Sequence, residues 1–164
     1  MSEKEEVKGL PVILDKKTAL PLWIDQRVFP LQYYIPIKRI ENFFKGLREG
    51  KILATKCKSC GRLFFPPQMD CPKCKTRDME WVELSNEAEL VSYTIIKVKP
   101  KTFGHYEDYI IAIGKLKKEN INIFAWLKTS DPSKIRIGMK LKLVVSERLP
   151  EKYLVYEFVP AEDL

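Results

Sequence analysis

Two cysteine pairs constrain this chain more than any other feature. Each pair has two residues between its cysteines, ten residues separate the pairs, and together they use all four cysteines: Cys57, Cys60, Cys71 and Cys74. Cysteines at this spacing can present both thiolates to one tetrahedral metal ion, about 2.3 Å from each sulfur. Gly61 follows the first pair, where a tight turn needs a residue that tolerates positive φ. The spacing therefore predicts a structural zinc site with no open coordination position.

Three other uses of the cysteines stay open on the sequence alone. Iron in a rubredoxin-like site, two disulfides, or a redox pair with two spare thiols would each account for four cysteines. Zinc is favoured because four thiolates complete its tetrahedral shell. Such a site contributes about 10–16 kcal/mol of folding free energy to a short segment that cannot form a core of its own. We therefore predict a zinc ribbon over residues 51–84.

The distribution of charge bears on partners and location. The 164 residues carry a net charge of +7, but residues 81–164 hold 13 basic and 12 acidic side chains. A nucleic-acid-binding surface usually shows a plainer basic excess. The first 15 residues are charged, and no uncharged run approaches 18 residues, so we expect neither a secretory leader nor a membrane span. With the cysteines committed to a metal, a reducing cytoplasm is the expected location.

Residues 1–50 are predicted to form an arm followed by one amphipathic helix. Four prolines interrupt residues 1–36, which argues against a long helix there. Apolar arm residues such as Trp23, Ile24, Phe29, Leu31 and Tyr34 are expected to contact the body, a partner or a ligand. Residues 37–49 have helical spacing, with Pro36 before and Gly50 after them. The expected apolar face contains Ile37, Ile40, Phe44 and Leu47, widened by Phe43.

Residues 85–164 are predicted to form a five-stranded OB-fold barrel, which makes the chain mainly β. Runs rich in β-branched and aromatic residues occupy residues 88–98, 109–116, 121–128, 139–147 and 152–159. A long interruption follows the third run, as in an OB barrel, and Asp131-Pro132 predicts one helical turn within it. A β-sandwich would give a similar pattern and stays open.

The loop after the first predicted barrel strand offers candidate ligand-binding residues. OB folds bind ligands over their second and third strands and in nearby loops. Cations hold phosphates and aromatic rings stack on bases, while an apolar helix face can take a lipid-like chain. We therefore predict a ligand site formed by the loop and the helix: Lys97, Lys99, Lys101, Phe103, Phe43 and Phe44. A solvated loop and ordinary core packing of the helix are the alternatives.

No catalytic residue is predicted. His105 is the only histidine, and the cysteines are assigned to the metal. Neither a Gly-x-Ser-x-Gly motif nor a glycine-rich phosphate loop occurs in the chain. We therefore do not expect an independent enzyme.

Residues 43–160 resemble a family of archaeal and bacterial proteins long catalogued as a domain of unknown function. Its members join a rubredoxin-like zinc ribbon to a C-terminal OB fold. The likeness lies in Phe44-x-x-Leu47-x-x-Gly50-Lys51-Ile52-Leu53, both cysteine pairs, Phe65-Pro66-Pro67, Trp81, Ser85 and Val91–Thr94. It implies a non-catalytic accessory protein that binds acyl-CoA and docks on a thiolase-type or hydroxymethylglutaryl-CoA-synthase-type enzyme. Asn86, Glu87 and Gln68 depart from the family pattern, and Gln68 weakens a phosphate role at that position.

Two functions of other classes stay open. A zinc ribbon and an OB fold both occur in nucleic-acid-binding modules, which need a basic groove with stacking aromatics. A pure assembly scaffold would bind its partner without any small ligand.

Overall fold

The computed structural model describes residues 9–23, 33–129 and 131–163. It divides the chain into two compact units, Met1–Pro36 and Ile37–Leu164. In the first unit β1 (Val12–Leu14) pairs antiparallel with β2 (Pro21–Trp23). The contacts predicted for Ile24, Phe29 and Leu31 lie outside the described residues. No helix in the described ranges is long and apolar enough to cross a membrane.

The predicted helix consists of a 3-10 turn (Lys38–Ile40) that continues into α1 (Glu41–Arg48). Its end confirms the predicted glycine cap. Gly50 has a φ of +73° and donates its N–H to the Leu47 carbonyl at 3.1 Å, while Lys51 donates to the Gly46 carbonyl at 2.8 Å. This pair of bonds is a Schellman motif, which satisfies carbonyls that have no partner within the helix.

The predicted apolar face of the helix is wrong in part. Phe43 and Leu47 are buried, whereas Phe44 and Ile37 are 41% and 40% exposed. A 3-10 turn has three residues per turn, so a 3.6-residue period cannot be extended back to Ile37. Phe43 points inward because it packs edge-to-face on Phe65 and Tyr156, with ring centroids 6.1 and 6.2 Å away.

The ribbon is a three-stranded antiparallel sheet in the order β4-β3-β5. Its strands are β3 (Leu53–Cys57), β4 (Leu63–Phe64) and β5 (Met79–Glu83). Thr55, fully buried in β3, donates its hydroxyl to the Gln68 carbonyl at 2.7 Å and accepts from the Gln68 N–H at 2.9 Å. This reciprocal pair holds the loop between the cysteine pairs against the sheet.

The second part of the chain forms a closed five-stranded barrel. Its strands are β6 (Glu87–Ile96), β7 (Tyr109–Leu116), β8 (Ile121–Leu127), β9 (Lys140–Arg148) and β10 (Tyr153–Pro160). Around the barrel the order is β6-β7-β8-β10-β9, and only the β8–β10 pair is parallel. This topology confirms the OB fold over a sandwich.

The barrel interior is filled by side chains. Phe158 is fully buried, and its ring lies so close to Gly114 that any Cβ at that position would clash with it. The same apolar cluster includes Phe43 of α1 and Ala54 of β3. Helix, ribbon and barrel therefore share one core, while the domain boundaries drawn at residues 50 and 84 stay predictions.

Candidate metal centre and aromatic groove

The two cysteine pairs form two turns with the same hydrogen-bond pattern. In each, the residue after the second cysteine donates its N–H to the carbonyl of the first cysteine at 2.8 Å. The first cysteine donates its own N–H to the carbonyl five residues later, at 2.9 Å in both turns. The residues that close the turns, Gly61 and Lys75, have φ values of +69° and +52°. The positive φ predicted at Gly61 is thus confirmed, and Lys75 adopts it in the second turn.

The four sulfur atoms lie where one ion can bind them all. They are within 4.8 Å of one another, and Cys60 Sγ lies 3.7 Å from Cys71 Sγ. A tetrahedral ion 2.3 Å from each sulfur requires separations of about 3.8 Å, whereas a disulfide requires about 2.05 Å. All four cysteines are free. The set therefore fits structural zinc and not two disulfides.

The electrostatics of the cluster also favour a bound cation. Backbone hydrogen bonding from Arg62 lowers the pKa of Cys60 to about 7. Hydrogen bonding to Cys60, followed by burial, raises the pKa of Cys74 to about 12. Four thiolates this close repel one another, so they ionise together only around a positive ion. Zinc would supply that charge and crosslink the two turns; with four sulfur ligands it would have no position for a reacting water.

The predicted loop lysines have different surroundings. Lys99 is largely buried and forms an ion pair with Asp108 at 2.8 Å. Lys97 and Lys101 are exposed, and no carboxylate of the described residues pairs with them. Phe103 lies in a cluster of rings, 5.6 to 6.4 Å from Tyr106, Tyr109 and Trp126. Ligand binding at these positions stays a prediction.

The helix and the barrel enclose an apolar groove with a cavity of about 310 Å³. Phe44 of α1 forms one side, and Phe124 of β8, which is 63% exposed, forms the other. Its remaining lining includes Leu154 and Tyr156 of β10. Phe43 contributes to the floor of the groove. The two alternatives for the helix, core packing and a ligand site, therefore apply to neighbouring residues. Phe43 packs in the core, and Phe44 lines the groove.

Sequence reasoning missed the residues that connect this groove to the loop. Trp126 lies parallel to Tyr109, with ring centroids 4.2 Å apart and planes 6° apart. The Arg148 guanidinium lies over the Trp126 ring, 3.8 Å from its centroid. The available signal was alternation along β8, where Phe124 and Trp126 occupy successive outward positions.

One carboxylate joins the loop to the β9–β10 turn. Glu151 accepts from the Tyr106 hydroxyl at 2.6 Å and lies 2.9 Å from His105 Nε2. The bond from Tyr106 lowers the pKa of Glu151 and raises that of the Tyr106 phenol. Within the described residues His105 has no other hydrogen-bond partner, so this group orders the loop without forming a nucleophile–base pair.

Two family models match the chain in succession. Residues 44–80 match the rubredoxin-like zinc ribbon domain of ChsH2, and residues 81–146 match the C-terminal OB-fold domain of ChsH2. Together they span more than half of the 164 residues. The match places all four cysteines in the ribbon model and four of the five barrel strands, in full or in part, in the OB model.

Several curated proteins are similar to this chain. A DUF35 domain-containing scaffold protein of Methanocaldococcus jannaschii is 28% identical over 116 residues, which cover 70% of this chain and 82% of that protein. A protein of the same description from Pyrococcus furiosus is 27% identical and covers 65% and 77%. The benzoylsuccinyl-CoA thiolase subunit BbsA of Thauera aromatica is 30% identical over 96 residues, covering 55% and 60%.

Two solved structures share the fold. An Ltp2-ChsH2(DUF35) aldolase superposes with a TM-score of 0.62 at 24% identity, covering 74% of this chain and 93% of the matched chain. A DUF35-family protein of unknown function from Sulfolobus solfataricus gives a TM-score of 0.51 at 26% identity, covering 73% and 83%. Both support the arrangement of ribbon and barrel described above.

Proposed function

We infer the function from one premise: this chain belongs to the family that joins a rubredoxin-like zinc ribbon to a C-terminal OB fold. We propose that it is a non-catalytic accessory protein that binds acyl-CoA for a thiolase-type enzyme. The observation that carries the proposal is the apolar groove between α1 and β8, whose Trp126 belongs to the same aromatic cluster as Phe103 of the lysine-containing loop. An acyl thioester of coenzyme A needs an apolar site for its chain and cations for its phosphates. Relatives named as scaffold proteins and as a thiolase subunit support this assignment.

The groove would hold the acyl chain. Phe44 and Phe124 are large, apolar and partly exposed, so a ligand that covers them removes apolar surface from water. Each methylene buried in such a site contributes about 0.8 kcal/mol. Affinity should therefore rise about fourfold with each added methylene until the groove is filled.

The rim of the barrel would hold the nucleotide. Lys97 and Lys101 have no acidic partner among the described residues, so phosphates can pair with them without breaking an existing ion pair. Phe103 offers a ring for the adenine. Lys99 contributes less than its neighbours, because Asp108 already neutralises it.

The enzyme partner would be thiolase-type or hydroxymethylglutaryl-CoA-synthase-type, with its own catalytic residues. This chain would supply binding surface, with zinc crosslinking the two cysteine turns of the ribbon. Its four thiolate ligands suit a reducing cytoplasm.

The test is calorimetric titration of the zinc-loaded protein with acetyl-, butyryl- and hexanoyl-CoA. We expect saturable binding that strengthens with chain length. Phe124→Ser should abolish the length dependence, while Ile137→Ser, at a residue of similar exposure outside the groove, should preserve it. Lys101→Glu should weaken all three ligands alike. Lys118→Glu, at the opposite end of β7, is its matched control.

A nucleic-acid-binding module makes a different prediction. A single-stranded oligonucleotide would then bind tightly and lose affinity steeply with salt, with no response to acyl-CoA. A pure scaffold would bind a thiolase-type enzyme equally well with and without acyl-CoA, as measured by mass photometry of the mixture. Either result would contradict the proposal.

A further inference from the structure

Arg148 lies on the ridge between two cavities. One is the apolar groove beside α1, and the other, of about 360 Å³, lies towards the loop that contains Tyr106 and Asp108. Trp126 and Arg148 line both. The guanidinium is therefore the one cation among the residues that line the groove, whose other described residues are apolar or aromatic.

This guanidinium has no acidic partner. Its Nε is buried without a hydrogen-bond acceptor, and no carboxylate of the described residues forms an ion pair with it. Of the carboxylates that line the second cavity, Asp108 is already paired with Lys99 at 2.8 Å, and Glu157 with Lys128 at 4.0 Å. The residue as a whole is only partly buried, so an anion can reach the guanidinium, and a partly desolvated cation without a counter-charge is stabilised by one that binds it.

The stacking on Trp126 leaves the hydrogen-bonding edge of the guanidinium available. Cation–π contact uses the flat face of the group, whereas its N–H donors point outward in its plane. A carboxylate matches two of these donors at once. Tyr156 lies in the same groove, and burial raises the pKa of its phenol, so the hydroxyl stays protonated and able to donate.

We propose that Arg148 binds a carboxylate at the far end of the acyl chain, so that this protein selects acyl groups derived from dicarboxylic acids. This inference rests on the proposed function, acyl-CoA binding, and specifies the class of acyl group that is bound. A single planar cation suits a carboxylate, while the phosphates of coenzyme A have Lys97 and Lys101. The apolar walls require that the carboxylate be carried on a hydrocarbon body.

The first experiment compares two ligands of one shape by calorimetry. Glutaryl-CoA ends in a carboxylate, and 5-methylhexanoyl-CoA ends in a neutral branch of similar size. Wild-type protein should bind glutaryl-CoA at least about tenfold more tightly. Arg148→Met should abolish or reverse that preference, and Arg148→Lys, which keeps the charge but loses the two-donor geometry, should reduce it. Lys118→Met should leave the preference unchanged.

A second experiment tests the carboxylate site without coenzyme A. 3-Phenylpropionate and the neutral 3-phenylpropanol are titrated into the full-length, zinc-loaded protein, with tryptophan fluorescence as the readout. We expect the acid to bind more tightly, and the difference to disappear in Arg148→Met. Thermal unfolding of each variant, with Arg148→Lys as the milder change, identifies any loss of fold.

The outcomes separate the two proposals. Acyl-CoA binding with no preference for glutaryl-CoA overturns the dicarboxylic selection and leaves acyl-CoA binding intact. Arg148-dependent binding of phenylpropionate without any acyl-CoA binding overturns the proposed function and supports the carboxylate site alone. Absence of binding by both classes of probe overturns both.

Discussion

The Glu119 carboxylate accepts two hydrogen bonds from Ser85, one from its N–H at 2.8 Å and one from its hydroxyl at 2.6 Å. Ser85 lies between the last ribbon strand and the first barrel strand, and Glu119 lies in the β7–β8 turn. Burial raises the pKa of Glu119, but the bonds from Ser85 outweigh it and hold the pKa below its ordinary value. These hydrogen bonds therefore hold the segment that leaves the ribbon against the β7–β8 turn of the barrel.

Glu119→Gln should lower the free energy of unfolding by about 1–2 kcal/mol at neutral pH, because charged acceptors bind more strongly than neutral ones. Since the folded pKa lies below the unfolded value near 4.3, this stabilisation is complete above that value and is lost as the pH falls through the folded pKa. Urea unfolding at pH 7 and pH 3 measures it. Glu107→Gln is the exposed control, and an equal effect of both substitutions would contradict the assignment.

Removal of zinc should unfold the ribbon. Cys71→Ser, or a strong chelator, should abolish stoichiometric zinc and remove hydrogen-exchange protection from β3 and β5, because the metal supplies about 10–16 kcal/mol in comparable modules. Ser59→Ala, within the first turn but outside the set of four cysteine ligands, should retain the ion. Cobalt substitution should give the absorption of a tetrahedral four-thiolate site, and an octahedral spectrum would count against the four-sulfur assignment.

The residues that close the two cysteine turns should respond oppositely to substitution. Lys75 has a φ of +52°, which costs a side-chain-bearing residue about 1 kcal/mol. Lys75→Gly should therefore change stability little or raise it, since relief of strain offsets the added chain entropy. Gly61→Ala should lower stability by about 1 kcal/mol. Thermal unfolding of the zinc-loaded variants measures both effects. Equal losses of stability in the two variants would contradict the inference that positive φ is strained at Lys75 and required at Gly61.

Neighbouring phenylalanines of α1 should differ sharply. Phe43→Ala should cost about 3–5 kcal/mol, because its buried ring packs against Phe65 and Tyr156. Phe44→Ala should cost about 1 kcal/mol or less, since that ring is already 41% exposed. Denaturant unfolding of both variants decides between the two faces. A greater loss at Phe44 would restore the face expected from helical periodicity.

Gly114 should not tolerate a side chain unless its neighbour shrinks. Gly114→Ala should lower stability by about 1–3 kcal/mol, because its Cβ would clash with the Phe158 ring. The double variant Gly114→Ala/Phe158→Leu should lose less stability than the sum of the losses in the two single variants. Additive losses in the double variant would mean that the clash is relieved elsewhere.

Local patterns predicted much of this molecule. The cysteine spacing identified the metal site, because ligands two residues apart share one turn. Strand positions followed from β-branched runs, and Asp131-Pro132 correctly predicted the short turn Pro132–Lys134, where Asp131 accepts from the Ser133 N–H at 3.0 Å. In each case the physical cause lies within a few residues of the signal.

Long-range relationships were not predictable in this way. Nothing near Arg148 in the sequence indicates that its guanidinium lies on Trp126, a residue of another strand. The inward position of Phe43 likewise depends on Tyr156, more than a hundred residues away. These contacts exist only after the barrel closes, so they require the fold.

The packing of Phe158 against Gly114 has a consequence for how this barrel can change. The Phe158 ring fills the interior at this level of the barrel, so any ligand there would have to bind on the outer surface. Along β8 the inward residues Ile123, Ala125 and Leu127 are buried, while Phe124 and Trp126 face outward. One strand thus bears two alternating rows of side chains, and the exposed row can change in sequence while the buried row, which the fold requires, is kept.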